Sequence, residues 1–524
     1  MSTVFAVLGK RYFLILGLLL ACPMPAYADR VAFGAFESAQ NAENWAAKLS
    51  GLFDHKMVVT VIDDQERIIY RVTSQNLTAQ AYSRMTRSAT ASGVRYWRVG
   101  EAALEAFPAR AEKSQAAARI VPPSPPIQRQ IGQGQTAGQM QWDLGLQTRL
   151  FAHKGDLQQD RAQLSVSAQL EYFRGWDNDT RSITFTPFLR LDSLDSKRSH
   201  ADVRELFYSY IQDTWDVHVG AKRVFWGVTE FNHLIDVVNQ TDLIENLDGE
   251  DKLGQPMVQF STVRPWGVLD VYALLGFRER TYPGVDGRLR LPYEVLDEAR
   301  YESGAEQMRT DLAIRWSHYL GPFELGLHHF SGTSREPMLL PEYAVDNEVV
   351  LRPYYPIIDQ TGIDAQAFYG DWAFKLEGFT RSGYGDRYAS LSGGLERTLV
   401  GVLGSRADFG LVLEYYWDER GDAAVNTLFE HDLALGGRLS LNDFADTQAL
   451  LGVIYDTQYQ DYVMTLEASR RIGNNWLLSL EGRAFAGGKA LPTPLGLNVL
   501  EGPDYKSAWL QQDDYLQVEF KKFL

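Results

Sequence analysis

Residues 161–173 read RAQLSVSAQLEYF. Ala162, Leu164, Val166, Ala168, Leu170 and Tyr172 fall on one side of this stretch. Gln163, Ser165, Ser167, Gln169 and Glu171 fall on the other. The period is two, which is the mark of a strand with one apolar and one polar face. What decides the fold is the medium that each face meets. In a soluble sandwich the apolar face meets a core and the polar face meets water. In a barrel that spans a membrane the apolar face meets lipid and the polar face lines a lumen.

The totals narrow the choice. A chain of 524 residues is longer than one ordinary soluble domain. Hydrophobic residues make up 45% and mean hydropathy is -0.25, values that fit a soluble protein. They fit a transmembrane barrel equally well, because only alternate residues face lipid. Beyond residue 28 no uncharged apolar run approaches the length of about 18 that a spanning helix needs. The formal net charge of -16 argues against nucleic acid as a partner, since phosphate wants a basic face.

Lys10 and Arg11 precede the apolar run YFLILGLLLAC, and Ala26-Tyr27-Ala28 follows. This is the layout of a secretory signal peptide over 1–28, cleaved at an A-x-A site. A competing lipidation reading centres on Cys22, but Pro23 follows that residue directly. Cys22 is the only cysteine, so cleavage after Ala28 leaves neither a disulfide nor a cysteine metal site. A chain without cysteine suits transit through an oxidising periplasm. No cofactor or metal is expected; the loop around Asn246, Asp248 and Gly249 lacks the ligand spacing of a calcium-binding EF-hand.

The first zone, 29–105, alternates short strands and helices. VAFGAF (31–36), MVVTVI, IIYRVTS and RYWRV (95–99) have strand character. NAENWAAKLSGLF (41–53) and TAQAYSRMTRSATASG (78–93) have helical spacing, Asn41 capping the first and Gly93 ending the second. The expected order is βαββαβ, a small α+β periplasmic domain. Its VAFGAF strand, the Asn41-Ala42-Glu43 helix start, Tyr70-Arg71-Val72 and the final RYWRV resemble the SPOR (sporulation-related repeat) family. That resemblance covers roughly a seventh of the chain. It implies binding of peptidoglycan glycan strands on an open sheet face, with Arg71, Tyr96 and Arg98 as the outward candidates. Residues 106–138 follow, with Pro122, Pro123, Pro125 and Pro126 and no apolar period. At about 3.1 Å per residue, such a semi-extended linker of some 30 residues reaches on the order of 90 Å.

From 139 to 524 the chain is strand after strand, with no helical period and no internal repeat of the kind that marks a propeller. The expected fold class is mainly β, a closed antiparallel transmembrane barrel of roughly 16–18 strands with short and long connections in alternation. The long ones fall at 225–257, 278–310 and 331–360. Tyr172, Trp176, Tyr415, Tyr416 and Trp417 sit where interfacial aromatic girdles belong. DDYLQVEFKKFL (513–524) alternates to the end, with Phe523 penultimate, and resembles the C-terminal assembly strand of bacterial outer-membrane barrels. On this reading Gln163, Ser165, Ser167, Gln169 and Glu171 line a lumen.

The segment KRVFWGVTEFNHLIDVVNQTDLIENLDGEDKLGQP (222–256) carries Asp236, Asp242, Glu245, Asp248, Glu250 and Asp251. Its GAKRVFWG start and Asn239-Gln240-Thr241-Asp242 are similar to the broad class of substrate-specific porins and polymer-export barrels. The expectation is an inward-folded constriction loop whose carboxylates favour cations or hydroxyl-rich solutes. No enzyme is expected. His328-His329-Phe330-Ser331 is the best fragment of a nucleophile and base, but nothing supplies orienting or oxyanion groups. The expected function is a porin-like outer-membrane channel for polar solutes. A non-conducting tether between outer membrane and cell wall, and an exopolysaccharide export barrel, are the alternatives. Expected partners are outer-membrane lipid and lipopolysaccharide, peptidoglycan and the barrel-assembly machinery.

Overall fold

The structure, a computed structural model, describes residues 30–36, 46, 49–50, 56–63, 68–74, 97–99 and 138–524, except 178, 345–346, 425–426, 428, 493–494, 496 and 498–504. The chain divides into two compact units, one formed by 1–90 and 94–108, the other by 91–93 and 109–524.

In the first unit β1 (Arg30–Phe36), β2 (Met57–Asp63), β3 (Ile68–Ser74) and β4 (Trp97–Val99) form an antiparallel sheet in the order β2-β3-β1-β4. Ala46 and Leu49, on the apolar stripe of the first expected helix, are buried. The signal segment, the rest of both expected helices and the linker up to 137 lie outside the described residues.

The second unit holds all the remaining strands. In chain order they are β5 (Gln139–Phe151), β6 (Ala162–Trp176), β7 (Arg181–Asp192), β8 (His200–Ile211), β9 (Trp215–Lys222), β10 (Gln255–Arg264), β11 (Gly267–Leu275), β12 (Glu294–Val295) and β13 (Arg300–Tyr301). Then come β14 (Thr310–Leu320), β15 (Phe323–Thr333), β16 (Met338–Tyr343), β17 (Val349–Tyr355), β18 (Ile357–Tyr369), β19 (Trp372–Ser382), β20 (Tyr388–Leu399) and β21 (Asp408–Asp418). The last are β22 (His431–Ser440), β23 (Gln448–Asp456), β24 (Tyr462–Ile472), β25 (Trp476–Ala486) and β26 (Tyr515–Phe523). Eighteen of them close into one antiparallel barrel of sequential hairpins. The four others, β12, β13, β16 and β17, make a small sheet within two of the long connections.

Closure joins β26 to β5, in register from Tyr515 opposite Phe151 to Phe523 opposite Asp143. Leu524 and Trp142 then exchange both backbone hydrogen bonds, at 2.9 and 3.1 Å. A closed sheet leaves no edge carrying unpaired N–H and C=O groups, which lipid would not tolerate. The Leu524–Trp142 pair lies at the end of the barrel that carries the short joins 177–180, 212–214, 265–266, 321–322, 370–371 and 473–475. Gly321 and Gly370 turn two of these tight corners at φ of 62° and 59°, where a side chain would strain the backbone. The opposite end carries the long connections 223–254, 276–309, 334–356 and 487–514.

The polarity of the wall is inside-out. Leu164 and Val166 are 49% and 45% exposed on the outer surface, while Gln163 and Ser165 between them are 3% and 2% exposed. The same holds around the barrel: Leu144, Leu312, Phe374, Leu411, Leu435 and Phe520 face out, and Gln147, Asp311, Lys375, Glu396 and Arg438 are buried. An apolar exterior around a polar interior is the arrangement of a transmembrane barrel. The opening stretch therefore presents its leucine face to lipid. One expected girdle residue is corrected. Tyr416 is buried and donates to Glu414, because it shares the inward parity of Glu414; its neighbour Tyr415 is the one exposed outside.

Candidate functional site

The connection 223–254 between β9 and β10 folds into the barrel and is pinned to the wall at several points. The first is apolar. Trp226, Ile235, Val237 and Val238 pack against Met257, Tyr272, Leu274, Ala313, Phe330 and Ile358 from β10, β11, β14, β15 and β18. These wall residues break the local rule, since they are apolar side chains on the inward phase of their strands. They give the loop a dry surface to dock on.

A second fixation uses buried carboxylates as acceptors. Glu377 on β19 accepts from the backbone N–H groups of Val228, Thr229 and Ile235 and from the Thr229 hydroxyl. Glu414 on β21 accepts from the N–H groups of Glu230 and Phe231. Glu377 and Glu414 are 0% and 1% exposed, so charge-assisted hydrogen bonds to loop backbone replace their lost hydration. Glu230 in turn pairs with Arg438 and lies 4.0 Å from Lys375. Phe231 enters a slot between Gly436 and Gly452, which are register partners on β22 and β23. A Cβ on either glycine would approach the Phe231 ring to 2.6 or 2.5 Å.

The third fixation is ionic, at the opposite wall. Arg190 on β7 donates to Glu245 at 2.7 and 2.8 Å, and Arg204 on β8 pairs with Asp242. Arg149 donates to the Glu245 carbonyl at 2.8 Å and Arg198 to the Ile244 carbonyl at 2.9 Å. Burial alone would raise the Glu245 carboxyl, but Arg190 and then Arg198 outweigh it and hold the group at about 2. Nearby, burial and the charge of Glu245 push Asp251 up to about 6.

All six expected loop carboxylates lie on this inward segment, but they do not form a bare acidic ring. Asp236 pairs with Lys252 at 3.2 Å, Asp248 with Arg483 at 3.5 Å and Glu250 with His233 at 3.7 Å. Asp242 and Glu245 belong to the arginine cluster. Two of the partners, Lys252 and His233, belong to the loop itself, and the arginines come from wall strands distant in sequence. Of the expected lining residues, Gln163 bonds to Asp192 at 3.0 Å and Ser165 takes hydrogen bonds from Arg190 and Arg198. Both sit among the residues that clamp the loop tip. Ser167, Gln169 and Glu171 lie farther along β6, half-buried, with Gln169 donating to Glu171 at 3.3 Å.

His328 faces inward and bonds to Gln360 at 3.0 Å beside Trp226, and its neighbour His329 faces out. Ser334 contacts Tyr384. On the first unit, Arg71 stands on β3 opposite Thr60 and Ala35, and Arg98 on β4 opposite Val31. Tyr96 lies outside the described residues.

Between the inward loop and the long connections is a cavity of about 890 Å³. Its walls come from the loop (His233, Glu250), the connections (Tyr282, Met338, Trp509) and barrel strands β20 and β22–β25. The sequence reading missed the carboxylates Glu377 and Glu414 and the arginines of the clamp. Inward charges at Arg190, Arg204, Glu377 and Glu414 were visible as polar positions in alternating strands, but nothing in the sequence paired them with the loop.

No protein-family model matches the chain. No curated protein matches it. Among solved structures it is similar to the Escherichia coli outer membrane protein Wzi, described as involved in group 1 capsule assembly and as a carbohydrate-binding β-barrel. The identity is 8%, over 73% of this chain and 84% of that one, with a TM-score of 0.43. OccK3 of Pseudomonas aeruginosa is similar at 8% identity over 74% of this chain and 95% of that chain, with a TM-score of 0.43. OccAB1 of Acinetobacter baumannii is similar at 7% identity over the same shares, with a TM-score of 0.42. These are likenesses of barrel architecture alone.

Proposed function

We propose that the chain is an outer-membrane channel that passes polar solutes beside a fixed inward loop, from the long-connection end to the short-join end. The observation that carries this reading is the inside-out wall, polar within and apolar without, enclosing the 890 Å³ cavity above the docked loop. Lipid and lipopolysaccharide contact the outer face, and insertion uses the barrel-assembly machinery. Selectivity comes from ion-paired side chains, since the loop carboxylates are neutralised by Arg190, Arg204, Lys252 and Arg483.

The test is single-channel conductance of residues 29–524 in a planar bilayer, with and without residues 29–138. Discrete steps are the expected result. Steps seen only after truncation would make the N-terminal region a plug. Silence in both forms would overturn the channel reading. It would favour the second reading, a tether, which the density of contacts between loop and wall supports. The N-terminal sheet is assigned to peptidoglycan on its SPOR resemblance. Sedimentation of the protein with purified sacculi, weakened by R71A and R98A together, tests that assignment.

A further inference from the structure

The wall of the cavity formed by β22, β23 and β24 is layered in a way the channel reading does not use. Asp432 and Asp456 are direct register partners, and the Asp456 N–H donates to the carbonyl of Asp461 at 2.9 Å. All three carboxylates line the cavity in one row near its long-connection end, and Asp432 and Asp456 are 3% and 7% exposed. Glu430, fully buried, adjoins them from the start of the same wall. Among the described residues these four carboxylates make a single ion pair, Glu430 with Lys506. The remaining Glu430 oxygen is buried with no partner, and so is the hydroxyl of Tyr388, which lines the same cavity at 3% exposure. The connections that close this end contribute no further cation from their undescribed residues: 425–426, 428, 493–494, 496 and 498–504 contain no Lys, Arg or His.

One step down each strand, roughly 7 Å away for two residues, the next inward row is apolar. Ala434 is the register partner of Ile454, and Ile454 of Val463. The row below that is the Gly436–Gly452 slot holding Phe231. Elsewhere in the interior buried carboxylates face an arginine, as Asp242, Glu245 and Asp364 do, or loop N–H groups, as Glu377 and Glu414 do. Here four carboxylates share one lysine, with backbone N–H or hydroxyl donors to Asp432, Asp456 and Asp461, above an aliphatic patch and an aromatic ring. Uncompensated buried charge of one sign is costly, and a bound cation relieves it. A hydrated metal ion would leave the apolar rows unused.

We infer that the row Asp432, Asp456 and Asp461 is a binding subsite for organic ammonium solutes, with the apolar body of the solute seated on Ile454 and Val463 toward Phe231. The subsite rests on the proposed channel as the route by which such a solute arrives. An ammonium donates up to three hydrogen bonds to the carboxylates, and its carbon body covers surface that polar solutes would leave wet.

The test is calorimetric titration of the full chain in detergent with 2-phenylethylamine, against 2-phenylethanol and calcium chloride. The amine is expected to bind at least about tenfold more tightly than the alcohol, and calcium not to displace it. D456N and, separately, D432N are each expected to weaken the amine by at least about tenfold, as loss of a desolvated charge partner does. Each substitution removes one of several like charges and keeps the side-chain shape, so circular dichroism should report an intact barrel in both. Equal affinity for amine and alcohol, or unchanged amine affinity in both variants, would overturn the inference. Calcium binding without amine binding would overturn it in favour of an inorganic cation site. Bilayer conductance separates the two claims: amine binding without conductance sinks the channel and leaves the subsite, and conductance without amine binding does the reverse.

Discussion

The carboxylate of Glu377 is the cheapest place to ask whether the inward loop is held or merely lodged. In a C22S background, T229C provides a single thiol at a position that is 2% exposed in the docked loop. The cysteine removes the hydroxyl that Thr229 donates, so Glu377 then holds three loop N–H groups, those of Val228, Thr229 and Ile235. At about 1 kcal/mol net for each hydrogen bond, E377A loosens this arm by about 3 kcal/mol. At 1.4 kcal/mol per factor of ten, that is about a hundredfold in the open population. The figure is an upper one, because removal also relieves the desolvation of a buried carboxylate. The assay is the rate of maleimide labelling, which follows the open population when reclosing is fast. E377Q keeps one acceptor oxygen and should accelerate labelling by under about tenfold. The apolar dock is a separate hold. Trp226, Ile235, Val237 and Val238 contribute about 1.5–3 kcal/mol each, so E377A frees the arm without evicting the loop. If E377A labels no faster than its parent, the carboxylate latch is wrong, and the Phe231 slot and the Glu230–Arg438 pair hold the arm instead.

The slot has its own cycle. G452A forces the Phe231 ring outward and should cost about 1–3 kcal/mol, read as lowered thermal stability in detergent. In an F231A background the same substitution should be close to neutral. R190A strips the buried Glu245 of its bidentate partner, and should cost about 3–5 kcal/mol in the same assay. The double variant R190M with E245Q should recover most of that loss, and failure to recover would deny the pair its role. The loop should also respond to pH. Asp251, with its carboxyl raised to about 6, is ionised at a cost above that pH, and the cost shrinks as pH falls below 6 toward the ordinary value of 3.8. Glu245, held at about 2, contributes stability that is complete above its ordinary value near 4.5 and lost as pH falls toward 2. Labelling of T229C is therefore expected to slow from pH 7.5 to 5, after correction for thiolate content, and to lose that slowing in D251N.

Much of the barrel was legible because its cause is local. RAQLSVSAQLEYF alternates since each residue of β6 has one of two neighbours, lipid or interior, and β5 and β26 repeat the pattern on either side of the seam. The long connections were legible as breaks in that alternation, and the expected bounds 225–257 and 278–310 fall within three residues of the observed joins. Tyr416 went wrong where a girdle was read from composition without following parity, which puts Glu414, Tyr416 and Asp418 on one inward line.

What stayed hidden is the partnership of the loop with the wall, and the physical reason is distance along the chain. Thr229 and Glu377 are 148 residues apart, and Asn246 and Glu481 are 235 apart. A lone acidic residue in a polar phase looks the same whether it faces water, an arginine or a row of backbone N–H groups. The one sequence trace of the dock is an exception to the alternation that identified the fold. Met257, Leu274 and Phe330 are apolar on the inward phase, where a water-filled lumen would want polar side chains. In an inside-out protein such residues mark where the interior is dry. They therefore indicate which part of the wall an inward segment covers before any partner for it is known. By the same logic, Ile454 and Val463 are inward, apolar and beside the cavity but outside this dock. Val463 packs in part against the cluster of Phe485 and Leu510, and what remains of this surface faces the cavity, where the proposed ammonium solute would seat.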